Sequence, residues 1–339
     1  MSAGDLPGAK TWLDQAFQEC QTSGPVMRRI ADTYSQMGDK ATSDRFRKQA
    51  DLLENRATPP TDQPPPETTT EPPMEENSFV RDKWALVVGI SSFQDPSMNL
   101  KFAAKDAVDF ATMLKDPVAG RFKDDGDHVK LLTDKDATAQ NIRTAINEIA
   151  RNARKEDLVV FYFSSHGTDA GMDIATEDGR TGYIVTYETN PTNLYATAFD
   201  MQELKRVVNT RIVAGRVVAF LDTCYSGGFQ PKAGRKQLSV GIPGDAVARM
   251  AQAKGRVVIA SSRDTEQSWE SDAHRNSYFT HFLMEGMRTS QGNLSVTQLY
   301  SYLQRTVPKA VLAEKQAQQN PTMDPQGRDI KIYIGTPIQ

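Results

Sequence analysis

From residue 79 onward the sequence predicts an α/β fold, a mostly parallel sheet between helical layers, preceded by a small helical N-terminal module. Three observations carry this reading. Short apolar runs rich in β-branched and aromatic residues recur along the body, amphipathic runs of helical period fall between them, and a Pro/Thr/Glu-rich stretch sets the body apart from a polar front piece. Strands buried on both faces read as continuous apolar runs, and their alternation with helices is the pattern of parallel strands joined by crossovers.

The strand-like runs are WALVVGI (84–90), HVKLLTD (128–134), DLVVFYF (157–163), RVVAFLD (216–222), RVVIASS (256–262) and DIKIYIG (329–335). Helical runs occupy 100–114, 139–154, 201–209 and 278–288. Thr138 is placed to cap the second of these, and Asp200 with Glu203 has the spacing of a capping box at the third. In the front piece, residues 1–56, Tyr34, Met37 and Ala41 recur at helical spacing, as do Phe46, Ala50 and Leu53, with Gly38-Asp39 between them. That is a helix-turn-helix of tetratricopeptide-like character, and one such unit is too short for a solenoid, so it reads as an adaptor or packing arm. Residues 57–78 hold almost no large apolar side chains and form an extended linker. The body then runs from 79 to 339.

Composition narrows the function classes. With 40 basic and 43 acidic residues the net charge is −3, which gives no reason to expect nucleic acid or an anionic membrane as partner. No run approaches the ~18–20 apolar residues of a membrane span. The first residues lack the basic start and apolar stretch of a secretory signal. Only Cys20 and Cys224 are present, so a disulfide framework is not available and the expected compartment is the cytoplasm.

In parallel α/β sheets, function sits on the loops leaving the carboxyl ends of strands. The third run continues as FYFSSHG and the fourth as AFLDTCYSGGF, which puts His166 and Cys224 at two such ends. An imidazole there can take the thiol proton, and the amides of Gly167 and Cys224 can hold an oxyanion. Read from the residues alone, the alternative is an inert cysteine and a structural histidine, as expected for His128, His274 and His281. Rival chemistries lack their parts. A cysteine phosphatase needs Arg six positions after the cysteine, where Gln230 stands; there is no Gly-x-x-x-x-Gly-Lys loop, and no Cys/His pair has zinc-ligand spacing.

These residues resemble the caspase-like cysteine peptidases, specifically the bacterial metacaspase and orthocaspase branch, over about three quarters of the chain. ALVVGISSF resembles the family's first strand and LKFAAKDAVDFATML its first helix; FYFSSHG and FLDTCYSGGF resemble its histidine and cysteine motifs. GYIVTYETNPTNLYATAFDMQELKRVV, ASSRDTEQSWES and SYFTHFLMEGM are similar to bacterial members. The resemblance implies a six-stranded, mostly parallel sheet, His166 as general base, Cys224 as nucleophile, Gly167 and Cys224 as oxyanion donors, and peptide hydrolysis through an acyl-enzyme without a cofactor. Asp106 matches the family's helix acid and Asp222 lies two residues before Cys224. Two carboxylates in the first pocket favour Arg or Lys before the scissile bond, and Glu266 or Glu270 is a candidate further acid.

Ser165 stands where metacaspases usually carry Gly. Of the aspartates that calcium-dependent metacaspases use, only Asp200 is matched and 229–233 hold no acid, so calcium activation has no support and no metal is expected. The acidic stretch Asp169, Asp173, Glu177 and Asp178 reads as solvated rather than metal-binding. Residues 230–242 lie where caspase-like enzymes are cut, and Lys232, Arg235 and Lys236 are the expected self-cleavage positions. Expected partners are protein substrates and, through the front helices, an upstream protease or a recruited protein. By analogy the role is a regulated protease in a stress, defence or cell-death cascade, with a non-catalytic scaffold as the alternative.

Overall fold

The computed structural model describes residues 31–32, 34–35, 40–55, 79–169, 182–224, 255–263, 266–325, 327 and 329–338. The chain divides into two units, Met1–Pro73 and Met74–Gln339. In the first, helix α1 (Lys40–Asn55) carries Phe46, whose ring stacks on Tyr34 with centroids 5.6 Å apart. Gly38-Asp39, the linker 57–78 and the expected cleavage loop 230–242 lie outside the described residues.

The second unit begins with β1 (Lys83–Gly89), α2 (Ala103–Lys115), β2 (Val129–Thr133) and α3 (Ala139–Asn152). β3 (Leu158–Asp169), β4 (Gly182–Ile184), α4 (Leu194–Thr197), β5 (Phe199–Asp200), α5 (Met201–Arg206) and β6 (Arg216–Cys224) follow. β7 (Arg256–Ala260), the short hairpin β8 (Glu270–Ser271) and β9 (Asn276–Ser277), α6 (Tyr278–Thr289), α7 (Val296–Lys315) and β10 (Thr322–Asp324) complete it. The main sheet has the order β10-β7-β6-β3-β1-β2, parallel throughout except that β10 runs antiparallel to β7.

Successive side chains of the central strands alternate between two cores. Leu86, Val88, Phe161 and Phe163 face Ile142, Ile146 and Leu204 of α3 and α5. Val87, Tyr162, Val218 and Phe220 face Phe110 of α2, Leu283 of α6 and Leu303 of α7. These apolar side chains are fully or almost fully removed from water, each contributing about 1.5–3 kcal/mol. The helix α2 lies unusually close to the sheet: a Cβ added at Gly89 would stand 2.3 Å from the carbonyl oxygen of Ala103 and 2.5 Å from the Ala107 Cβ.

Three expectations change. The run 329–335 is not a strand of the sheet; it makes one isolated bridge, Tyr333 to Ser295, and its alternation arises because Ile332 and Ile334 are buried in the helical core. The sixth strand is instead the three-residue β10. The 20-residue α7, absent from the expectation, starts with a capping box of Ser295 and Gln298 and continues through Pro308. Thr138 does cap α3, accepting from the Asn141 amide, and Asp200 caps α5 by accepting from Gln202. Glu203, however, turns away to pair with Arg143.

Candidate active site

β3 and β6 both outrun their outer neighbours. β1 stops opposite Ser164 and β7 opposite Leu221, whereas β3 and β6 continue together to the pair His166 and Cys224. The sheet thereby sets the two residues side by side at its carboxyl edge; for Cys224 the structure describes the backbone. β4 occupies the edge of β3 that β1 vacates, and the Val185 amide donates to the carbonyl of His166 at 2.9 Å. Across a trans peptide the next N–H points the opposite way, so the amide of Gly167 is directed to the β6 side, where Cys224 ends its strand.

His166 is 7% exposed. Its Nε2–H donates to the carbonyl oxygen of Met98 at 2.7 Å, and the Phe93 ring stacks on the imidazole with centroids 5.3 Å apart. With Nε2 protonated, Nδ1 carries the lone pair, and it has no partner among the described residues. Burial pushes the pKa down to about 4, only partly opposed by the Met98 carbonyl. The ring is therefore neutral at pH 7 with a basic nitrogen available.

Asp106 and Asp222 come together beneath this edge, at 1% and 0% exposure. Ser277 bridges them: its amide donates to Asp106 at 3.1 Å and its hydroxyl to Asp222. Asp222 also accepts from Thr280 Oγ1 at 2.7 Å and Ser268 Oγ at 3.2 Å, while Asn276 Nδ2 donates to Asp106 at 2.7 Å. Burial raises the pKa of both, and the charge of Asp222 raises Asp106 further. Among the described residues neither carboxylate forms an ion pair with a basic side chain. Of the two further acids that the sequence offered, Glu270 lies near Asp222. It accepts from the amides of Lys101 and Phe102, and the charge of Asp222 acts on it, whereas Glu266 instead holds Asn320.

Lys232, Arg235 and Lys236 lie outside the described residues, as do Asp173, Glu177 and Asp178. His128 is held between Asp125 and Asp82 and stacks on Trp84, and His274 stacks on His281, so none of the three joins His166. Sequence reasoning missed Met98, which contributes only a backbone carbonyl and so leaves no side-chain signal. It also missed Asn276 and Ser277, which reach the acids from β9, and Thr280, which reaches Asp222 from the first turn of α6.

The open, mostly parallel sheet sets a histidine and a cysteine at the carboxyl ends of its two central strands. The family model described as the caspase domain matches residues 82–329, and the chain belongs to that caspase-like peptidase family. Among solved structures it is similar to the Geobacter sulfurreducens protein GSU0716, with TM-score 0.54, 18% identity, and cover of 76% of this chain and 100% of that one. Caspase-1 from Spodoptera frugiperda also matches, with TM-score 0.45, 15% identity, and cover of 73% and 88%. No curated protein matches. Among the described residues no helix is long and apolar enough to cross a membrane.

Proposed function

We propose that the chain is a cysteine endopeptidase cleaving after Arg or Lys, with Cys224 as nucleophile and His166 as general base. The observation that carries this reading is the pairing of His166 with Cys224 in register, together with the Nε2–H bond to Met98 that leaves Nδ1 as the acceptor. In acylation, Nδ1 takes the thiol proton as sulfur bonds to the scissile carbonyl carbon, and the carbonyl electrons move to oxygen. The amides of Gly167 and Cys224 stabilise that oxyanion. Collapse breaks the C–N bond, the amine leaves with the proton from Nδ1, and a thioester remains. Water then loses a proton to Nδ1 and attacks the thioester; the acid product leaves and sulfur regains its proton. No cofactor enters these steps.

The preference for basic residues is supported by Asp106 and Asp222, a buried pair of carboxyl groups whose ionised form a guanidinium or ammonium would stabilise, with Glu270 beside them. Their burial supports an activation step that opens the pocket, and Lys232, Arg235 and Lys236 are the candidate cleavage positions. The front helices are candidates for recruiting a protein partner or an upstream protease. A place in a regulated proteolytic cascade follows from the family resemblance alone. Fluorogenic peptides ending in Arg, Lys or Asp test the reading directly. Cleavage after Arg and Lys that drops by at least about 10³-fold in Cys224→Ala is expected. Cleavage after Asp would sink the acid-pocket assignment, and a wild type silent even after proteolytic nicking would favour a scaffold.

A further inference from the structure

We propose that Asp134, on the turn that follows β2, is a positioning residue for the imidazole of His166, acting through the loop that joins β1 to α2; this rests on the peptidase reading above. The loop's task is to present the Met98 carbonyl to Nε2, and its shape is fixed largely by hydrogen bonds to its own amides. Asp134 Oδ1 accepts from the amides of both Ser91 and Ser92 at 2.8 Å. Ser91 so held becomes the hub of the loop. Its carbonyl accepts from the Leu100 amide at 2.9 Å, and its hydroxyl accepts from the Ala104 amide at 2.9 Å, which closes the loop's base onto α2. Within the closed loop Asn99 Oδ1 accepts from Phe93 at 2.9 Å, and the Met98 amide donates to the Asp95 carbonyl at 3.0 Å. Phe93 and Met98 both touch the imidazole of His166, one by ring stacking and one by its carbonyl.

The backbone of Asp134 supports the assignment independently. Its φ is 47°, in the left-handed region that non-glycine residues seldom adopt. Glycine, and less often asparagine and aspartate, adopt that conformation, and the aspartate here also has one oxygen shared by two loop amides. Backbone strain of this kind persists where surrounding contacts over-determine it, often beside a functional site. Losing the anchor frees the base of the loop, so the Met98 carbonyl moves off Nε2 and the proton can redistribute between the two ring nitrogens.

Two substitutions separate these contributions. Asp134→Gly keeps the left-handed backbone without strain and removes the acceptor; Asp134→Asn keeps both the backbone tolerance and an acceptor oxygen. In the full-length protein, Asp134→Gly is expected to lower kcat by about 10²-fold, the effect of displacing a catalytic group by about an ångström, with KM within about twofold. Asp134→Asn should stay within about threefold of wild type. The second readout does not depend on activity. Nitrogen-15 NMR of the imidazoles, tractable with four histidines in the chain, should show His166 of wild type and Asp134→Asn as the Nε2–H tautomer at pH 7, and a tautomer mixture in Asp134→Gly. Unchanged kcat and tautomer in Asp134→Gly would overturn the proposal while leaving the peptidase reading intact. A variant that loses kcat only in proportion to its unfolded fraction, with the tautomer kept, would overturn it too, since the role would then be structural. A wild type without Cys224-dependent cleavage would remove the peptidase reading, and the tautomer spectra would still decide whether Asp134 positions the ring.

Discussion

Taking an imidazole out of water disfavours its proton, whereas taking a carboxyl out of water retains it, and both occur within this site. His166 has its pKa pushed down to about 4 by burial, below the ~6.5 of an unfolded chain. Between those values the unfolded state binds more protons, so the stability His166 contributes is present above pH ~6.5 and is lost as the pH falls toward 4. For Asp106 and Asp222 the sign reverses. Burial raises both above the ~3.9 of an unfolded aspartate, so the folded state binds the extra proton, and their ionisation erodes stability as the pH rises. Asp106→Asn removes this cost while its amide oxygen can still accept from Asn276 and Ser277. The variant should therefore melt higher than wild type at pH 7.5, by about 2–4 °C for each kcal/mol relieved, and the difference should narrow at pH 5. Cleavage after Arg should meanwhile fall by roughly 10²-fold, the loss expected when one partner of a buried charge pair is removed. Thermal melts at the two pH values, with kcat/KM on an Arg peptide, check both halves. A lower melting temperature at pH 7.5 would mean that the hydrogen bonds of the pair outweigh its desolvation.

At the scale of elements, α2 must approach β1 closely for Asp106 to reach Asp222 across the end of the sheet. Gly89 permits it, since any Cβ there meets the carbonyl of Ala103. Gly89→Ala should destabilise the fold by about 1–3 kcal/mol, as overpacking does, and should raise KM for Arg peptides more than it lowers kcat, because Asp106 moves and His166 does not. Chemical denaturation and steady-state kinetics on one preparation check this; an equal loss in kcat would show that the whole sheet end had shifted. The same elements explain what could be read in advance. β1, β3, β6 and β7 are buried on both faces, so their apolar runs stand out and carry His166 and Cys224 to the correct edge. Ile332 and Ile334 alternate just as a strand would, but they pack against helices, and alternation by itself cannot distinguish the two. β10, β8 and β9 are two or three residues long, too short for any period to register. Pro308 interrupts the pattern of α7 in sequence without ending the helix. Asp106 was legible only through family resemblance, because its place opposite Asp222 depends on a crossover that no local spacing records. The Met98 carbonyl was not legible at all.

At the scale of the whole molecule, the acids proposed to select the substrate are shut away from solvent, so a basic side chain cannot reach them until the region around them opens. The segment that follows Cys224 directly, and joins β6 to β7, contains Lys232, Arg235 and Lys236. The linker 57–78 contains no basic residue, with Arg56 and Arg81 flanking it. A peptidase that prefers Arg and Lys can therefore cut its own chain between β6 and β7 but not within the linker. If that cut opens the pocket, maturation and specificity share one chemical basis, the charge of the acid pair. Incubated wild type should then yield two fragments that meet between residues 232 and 236, with peptidase activity rising as the intact chain disappears. Cys224→Ala should remain a single chain, and adding active wild type to it should restore the same cut in trans. The triple variant with alanine at Lys232, Arg235 and Lys236 should stay intact and turn over an Arg peptide at least tenfold more slowly, an effect of about 1.4 kcal/mol on the activation barrier. Intact mass spectrometry paired with the peptide assay decides the matter. A triple variant that stays uncut and matches wild-type turnover would show that the pocket opens without cleavage, and the loop would then lose its part in activation.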